Sequence, residues 1–439
     1  MNYTLGIDTG TTSVSIAAIN EAHELVTSRT VNHNAFIKGD FPDSKVQDAK
    51  RILEIVMAGL ESITSEYGRP SAIGFTGQMH GVLYLDKKGD PVSPLYTWED
   101  PSANIPVNGE SSLHILHSHG IKCSAGYGVS THFYLQRARK IPSDAVRLST
   151  LSDYIAMKLC GKNSPVLSAE MSAGLGGFDV RKREFMKDRL ESAGVDVSFL
   201  PENVKGYCIV GETESGVPVV CSMGDNQASF MGSVYNVTGS VYNQENTILL
   251  NVGTGSQVSF MTREFVETDG DIELRPYGED YLLAGAALCG GRAYAMLEGF
   301  YREICGRSCY DVMSKHAEEF LRTQGLTHAW NVDTRFQGTR SNPSITGSIT
   351  GITDGNFTPG AFTAGVIRGI ITELYDMYTA MKNLTGRNAA AVVGSGNGLR
   401  KNGIMRRIAG EIFGLEVRVP KYQEEAARGC AICAWNMCR

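Results

Sequence analysis

A short pattern occurs twice in this chain. The first copy is Leu5-Gly-Ile-Asp-Thr-Gly-Thr-Thr-Ser-Val-Ser-Ile-Ala-Ala-Ile19, and the second is Leu249-Leu-Asn-Val-Gly-Thr-Gly-Ser-Gln-Val-Ser-Phe-Met261. Each reads as an apolar strand, a turn of glycine with threonine or serine, and a second strand with partial period-two alternation. Each is therefore a β-hairpin whose tight loop sets small hydroxyl residues among glycines. Copies half a chain apart predict two similar domains facing one another. The turn-rich stretch 232–246 reads as their boundary, giving domains over 1–237 and 238–439.

Other segments fill in around the hairpins. Helical spacing of apolar residues covers 46–65, 148–160 and 361–381, and strands are expected at 72–75, 82–85, 217–221 and 389–393. The last of these runs through a glycine loop into a helix reaching about Phe413. Strands and helices alternate, so the fold class is α/β.

Composition narrows the function classes. A chain of 439 residues is long enough for two or three domains with full cores. With 41 basic and 47 acidic residues the net charge is −6, which offers nucleic acid no basic footprint. No apolar run approaches the length of a membrane span, and the N-terminus runs directly into a strand pattern without a basic, apolar leader. A soluble, cytoplasmic protein is expected. The ten cysteines do not read as staples. Cys430 and Cys433 form a CxxC inside a helical stretch with no second ligand pair nearby, and His114, His117 and His119 read as a solvated helix end. No structural metal is expected.

The loops carry the chemistry. A hairpin turn of Gly, Thr and Ser gathers backbone N–H groups and hydroxyls into a concavity that suits phosphate oxygens. Asp8, ending the first strand, adds a carboxylate where a phosphate-bound Mg²⁺ could sit. Alone, such a hairpin is commonly nothing more; two copies, one with a preceding acid, favour phosphate. Neither GxxxxGK[ST] nor a dinucleotide GxGxxG in βαβ context is present. Gly394-Ser-Gly-Asn-Gly398 runs from a strand into a helix, a geometry that lets a ligand approach the backbone closely. Asp225, just beyond a strand, would ordinarily cap a helix; beside a cleft it could be a general base. Gln78, His80 and Trp98-Glu-Asp100 add amide, imidazole, ring face and carboxylate, a set suited to a polyol with one apolar side.

In order along the chain, the Asp-x-Gly-Thr-Thr-Ser hairpin, Gly77-Gln-Met-His-Gly81, Trp98-Glu-Asp100, Gly224-Asp-Asn-Gln227, Gly253-Thr-Gly255 and the segment 394–420 resemble the FGGY carbohydrate kinases. The resemblance spans essentially the whole chain. Within that family, Gln-Met-His-Gly is similar to the xylulokinase and sedoheptulokinase branch. Stretches 123–131 with Phe133, Asp153-Tyr154 with 159–161, and 223–229 lean toward sedoheptulokinase.

The resemblance implies two actin-like (ribonuclease H-like) domains with a central cleft, binding ATP and sugar. It makes Asp225 the base that takes the proton of the sugar's terminal hydroxyl. Gln78, Met79, His80, Trp98, Asp100 and Asn226 would line the sugar pocket. Thr11, Thr12 and Ser13 with Gly253, Thr254 and Gly255 would hold the ATP phosphates, and Asp8 would bind Mg²⁺ through water. Gly394, Ser395, Gly396 and Asn397 would border the adenosine, with Gly291 also at the nucleotide. A homodimer is common among relatives. Two positions depart from the pattern: Ser15 stands where relatives often carry Lys or Arg, and Ser102 where Trp-x-Asp-x-Arg would place an Arg. The reaction expected is ATP-dependent phosphorylation of a ketose, sedoheptulose first and D-xylulose next. The alternatives are a sugar- or nucleotide-binding regulator with weakened catalysis and an actin-like ATPase acting on protein partners.

Overall fold

A computed structural model describes residues 2–235 and 244–439. The chain divides into two compact units, Met1–Gly232 with Pro276–Glu279 and Tyr422–Arg439, and Ser233–Arg275 with Asp280–Lys421. Most of the boundary expected at 232–246 lies outside the described residues. The C-terminal stretch Tyr422–Arg439 is part of the first unit, where a division at 237/238 would have given it to the second.

The first unit is built on a seven-stranded sheet. Strands β1 (Tyr3–Thr9), β2 (Ser13–Asn20) and β3 (Leu25–Asn32) form an antiparallel meander, followed by helix α1 (Ala49–Tyr67) and strand β4 (Ile73–Gly77), parallel to β1. Helix α2 (Ala169–Leu175) precedes β5 (Ile209–Glu212), β6 (Pro218–Val220) and the short β7 (Met223–Gly224), which leads into helix α3 (Asp225–Val234). The order across the sheet is β5-β6-β4-β1-β2-β3, with β7 also on β4. Tyr3, Leu5 and Ile7 from β1, Val14 and Ile16 from β2, and Ile52, Val56 and Ile63 from α1 share one core. The buried residues of α1, Ala49, Ile52, Val56, Leu60 and Ile63, recur at steps of three and four, the spacing that lines one face of a helix.

The second unit repeats the plan. Strands β8 (Thr247–Val252) and β9 (Ser256–Thr262) are the second hairpin, and β10 (Ile272–Tyr277) and β11 (Asp280–Ala287) continue the sheet. Helix α4 (Gly291–Cys305) and the long α5 (Pro359–Thr385) lead to β12 (Ala391–Ser395), α6 (Gly396–Lys401), α7 (Gly403–Phe413) and β13 (Val417–Arg418). The order is β10-β11-β9-β8-β12-β13. In both units the hairpin's first strand lies between its antiparallel partner and a parallel strand from later in the chain.

Capping residues reset the starts of two expected helices and split a third. Val46–Gln47 is a short strand and the helix begins at Ala49, because Asp48 accepts from the Lys50 and Arg51 amides at 3.0 and 3.2 Å. Residues Arg147–Ser149 pair with Leu83–Leu85, and Thr150 caps a helix over Leu151–Leu159. The helix after the glycine loop breaks at Asn402, whose Oδ1 accepts from the Met405 amide at 3.0 Å. Among the described residues no helix is long and apolar enough to cross a membrane, and none of the ten cysteines is paired.

Candidate active site

The first unit's motifs meet on one register row. Thr9 of β1 pairs with Gly77 of β4, and Gly224 of β7 pairs with the same Gly77. Three segments separated by roughly 70 and 150 positions therefore leave the sheet at the same level. From that row spring the hairpin turn after Thr9, Gln78-Met79-His80 and Asp225. The carboxyl ends of neighbouring parallel strands are where α/β sheets place ligands.

The hairpin turn is held from inside by its carbonyls. Gly10 O meets His33 Nε2 at 3.2 Å, Thr11 O accepts from Gln47 Nε2 at 2.7 Å, and Thr12 O accepts from the His33 amide at 3.1 Å. This leaves the turn's amides and hydroxyls as the groups an anion would meet, with Thr12 exposed at the tip and Thr11 and Ser13 beside it. Asp8 is partly buried, and its carboxyl is pushed up to about 7, first by desolvation and then by the charges of Asp225 and Glu424. Ser15, opposite Asp8 in the hairpin, bonds Thr30 at 2.9 Å, and the Thr30 hydroxyl in turn meets Glu424 Oε1 at 3.1 Å. Hydroxyls and a carboxylate thus occupy the neighbourhood where relatives often carry a cation.

The expected sugar-side residues divide by task. Asp225 is exposed at the start of α3 and accepts from the Asn226 amide at 2.6 Å; Asn226 itself is buried. His80 adopts a left-handed backbone (φ 74°), stacks on Tyr127 at 4.2 Å and meets Gly174 O through Nδ1 at 2.6 Å, which fixes the ring. Trp98 is half exposed and donates from Nε1 to Thr11 Oγ1 at 3.0 Å. Gln78 is buried and donates to Gln47 Oε1 at 2.9 Å, so it braces the hairpin. Met79 is also buried and fills the space over Gly174 and Gly224, where added Cβ atoms would stand 3.0 and 2.9 Å from its side chain. Asp100 departs most from expectation. It is fully buried, with Oδ2 accepting from Ser44 Oγ and the Lys45 amide at 3.1 and 2.8 Å and Oδ1 from the Ser102 amide at 3.0 Å. Its charge is spent bracing the loop that carries Trp98.

The second unit gathers three loops at one end of its sheet. Asn251 of β8 pairs with Ser395 of β12, and the two turns follow at once. The Gly253 amide donates to Gly255 O, the Gly291 amide to Gly253 O and the Arg292 amide to Thr254 O, each at 2.9 Å. Thr254 is exposed at this tip, as Thr12 is at the other. Gly396 has φ 76°, and a Cβ there would also press on Val252 and Asn251, so only glycine fits. Gly394 and Ser395 differ from their expected role. Both are buried strand residues, with the Ser395 hydroxyl turned to Leu250 O at 3.4 Å, which leaves Gly396 and the exposed Asn397 as the loop's open face.

Four residues escaped the sequence reading. Gln47 sits in a stretch whose apolar spacing looks helical, so its role as a brace had no local signal. Glu170, His33 and Glu424 act through partners far away in sequence. Among the described residues no group of three or more His, Cys, Asp or Glu is arranged to hold a metal by itself.

The two units are α/β layers built on a repeated hairpin, one with an acid at a helix start and the other with glycine loops at one end of its sheet. The chain belongs to the FGGY family of carbohydrate kinases: residues 3–232 match the family's N-terminal domain and residues 248–437 its C-terminal domain. It is 27% identical over 453 residues to sedoheptulokinase from Mus musculus, covering 92% of this chain and 91% of that one. It is 24% identical to xylulose kinase from Staphylococcus xylosus, covering 99% and 90%. The crystal structure of gluconate kinase from Lactobacillus acidophilus superposes with a TM-score of 0.81 at 19% identity over 99% of this chain and 89% of that one. The fold is the actin-like one of that family.

Proposed function

We propose that this protein transfers the terminal phosphoryl group of ATP to the terminal hydroxyl of a ketose, with sedoheptulose as substrate and sedoheptulose 7-phosphate as product. The observation that carries the reading is the shared register row, which sets Asp225, the Thr11–Thr12 turn and the Gln78–His80 loop on adjacent strand ends. Phosphoryl transfer requires mainly alignment and charge neutralisation. Asp225 accepts the hydroxyl proton, His80 and Trp98 present a ring and a half-exposed indole to the sugar, and the hairpin donors orient phosphate. Sedoheptulose is favoured by the likeness to a sedoheptulokinase over nearly the whole chain, with D-xylulose the competitor that the xylulose kinase likeness suggests.

Bound Mg²⁺ would neutralise phosphate charge. Such an ion keeps several waters and takes one or two carboxylates, so the lack of an all-protein cage does not count against Asp8 as its anchor. The negative charge that Asp225 and Glu424 set beside Asp8 is of the sign a divalent cation offsets.

That carboxyl gives a pH test. Its folded value near 7 lies above the ordinary 3.8. The stability it contributes is complete below about 3.8 and is lost as pH rises through 7. Without metal, Asp8→Asn is therefore expected to gain in melting temperature relative to the parent between pH 5 and pH 8. Mg²⁺-ATP should reverse the order at pH 8 by stabilising the parent alone. Thermal-shift curves whose difference ignores pH would remove the shifted carboxyl, and a variant equally stabilised by Mg²⁺-ATP would remove Asp8 as the anchor.

The substrate is tested by coupled ADP release with Mg²⁺-ATP against sedoheptulose, D-xylulose, D-ribulose, L-ribulose, D-fructose and glycerol. Strongest turnover is expected with sedoheptulose. Turnover confined to D-xylulose would reassign the sugar. Silence across the panel with ATP binding intact would replace the kinase by the regulator.

A further inference from the structure

Helix α2 carries a buried carboxylate that the proposed chemistry does not use. Glu170 is 1% exposed. A carboxylate in such a place is costly unless hydrogen-bonded, and its two oxygens are bonded to different parts of the chain. Oε2 accepts from the Gly224 amide at 2.7 Å. Oε1 accepts from the Gly278 amide at 3.0 Å and from the Tyr207 hydroxyl. Burial pushes the Glu170 carboxyl up to about 7, and these bonds pull against it.

Each amide belongs to a segment that bears on Asp225. Gly224 is the residue immediately before Asp225, so Glu170 fixes the Met223–Gly224 peptide, one unit ahead of the peptide that leads into Asp225. Gly278 lies in the tight turn between β10 and β11, within the segment Pro276–Glu279 that groups with the first unit. That turn is held by further bonds. Arg183 donates to Gly278 O and Glu279 O as well as to Lys205 O. Gln227, two residues beyond Asp225 on α3, donates from Nε2 to Pro276 O at 2.9 Å. The chain is thus tied to the same turn just before and just after Asp225.

We infer that Glu170 is a positioning residue for Asp225, joining the Met223–Gly224 peptide to the Pro276–Glu279 segment. The inference rests on Asp225 being the base. The bonding also dictates the variant. In Glu170→Gln one oxygen becomes an NH₂ group, and either orientation of the amide sets that donor against a backbone N–H, of Gly224 or of Gly278. One of the two ties is lost while size is preserved. Misplacing a reacting group by a fraction of an ångström to one ångström costs on the order of 10- to 100-fold.

The test compares Glu170→Gln, Asp225→Asn and the double variant for kcat, sugar KM and ATP binding by calorimetry. Glu170→Gln is expected to lower kcat by about 10- to 100-fold with ATP affinity unchanged. In the Asp225→Asn background it should cause no further loss of the residual rate, which a merely structural role would cut again. A folded Glu170→Gln with parental kcat, or an equal loss in both backgrounds, overturns the inference. If Asp225→Asn itself keeps full activity, the base assignment fails instead, and that result is visible in the single variant. Should Glu170→Gln not fold, Glu170→Asp asks the same question with an arm too short for both amides. Parental kcat in that variant overturns the inference as well.

Discussion

Replacing Asp225 by Asn is expected to lower kcat for sugar phosphorylation by about 10²–10⁴-fold, the usual contribution of a positioned base, while ATP still binds. The substitution separates two roles that the sequence leaves superposed. Asp225 opens α3, and its Oδ1 takes the Asn226 amide at 2.6 Å, so part of its work is to satisfy an amide at the helix start. Asn caps helices about as well as Asp, so the variant keeps the helix start and its melting temperature. What it loses is the ability to accept a proton. The residues proposed to hold ATP, Thr11, Thr12 and Ser13 in the first unit and the glycine loops of the second, do not include Asp225, so ATP is expected still to bind. Coupled ADP release measures the first effect and calorimetric titration with ATP the second. Parental turnover in Asp225→Asn would sink the assignment of the base. Lost turnover with lost ATP binding would mean that the acid acts on the nucleotide instead.

What was legible in the sequence was local. The two hairpins, the glycine loop after β12 and the acid at the head of α3 announce themselves within a dozen residues, because turn chemistry and strand period are short-range properties. The register row that joins Thr9, Gly77 and Gly224 is not local, and no spacing along the chain reveals it. The same divide explains the contacts that these motifs did not announce. Trp98-Glu-Asp100 is readable as a polar motif, yet Asp100 is spent on Ser44, Lys45 and Ser102, the first two reached only after folding. Gln78 reads as a sugar ligand with no sign of the Gln47 that stands behind it, and Glu170 reads as nothing until the Gly224 and Gly278 amides converge on it. Buried polar residues are informative through their partners, and partners are tertiary.

The C-terminal helix, Glu425–Met437, supplies the largest stability effect. Its pattern of small residues, Ala427, Gly429, Cys430, Ala431 and Ala434, marks it as a helix that packs closely, but not against what. In the structure it lies on β1 and β4 with backbones nearly touching. A Cβ on Gly6 would stand 2.7 Å from the Ala431 nitrogen and closer still to Ala427 O. One on Gly74 would stand 2.7 Å from the Cys430 carbonyl carbon and closer to its oxygen. The obstructing atoms are backbone, so no side chain can rotate away, and both glycines sit in strands paired on each side. From the helix side, Gly429 faces Ala228 of α3 in the same manner. Overpacking a core costs about 1–3 kcal/mol and occasionally more, and a contact that only backbone movement can relieve belongs at the top of that range. Gly6→Ala and Gly74→Ala are each expected to lose about 3 kcal/mol, a large share of the roughly 5–15 kcal/mol that holds a domain together. For a unit of this size that is on the order of 6–12 °C in melting temperature. Gly299→Ala, in α4 with nothing beyond its own stretch of helix within 4 Å of the added methyl, should instead gain about 0.5–1 kcal/mol from helix propensity. Thermal melts of the three variants decide the matter. If Gly6→Ala and Gly74→Ala melt with the parent, the helix does not sit on these strands, and the placement of Tyr422–Arg439 in the first unit falls with it.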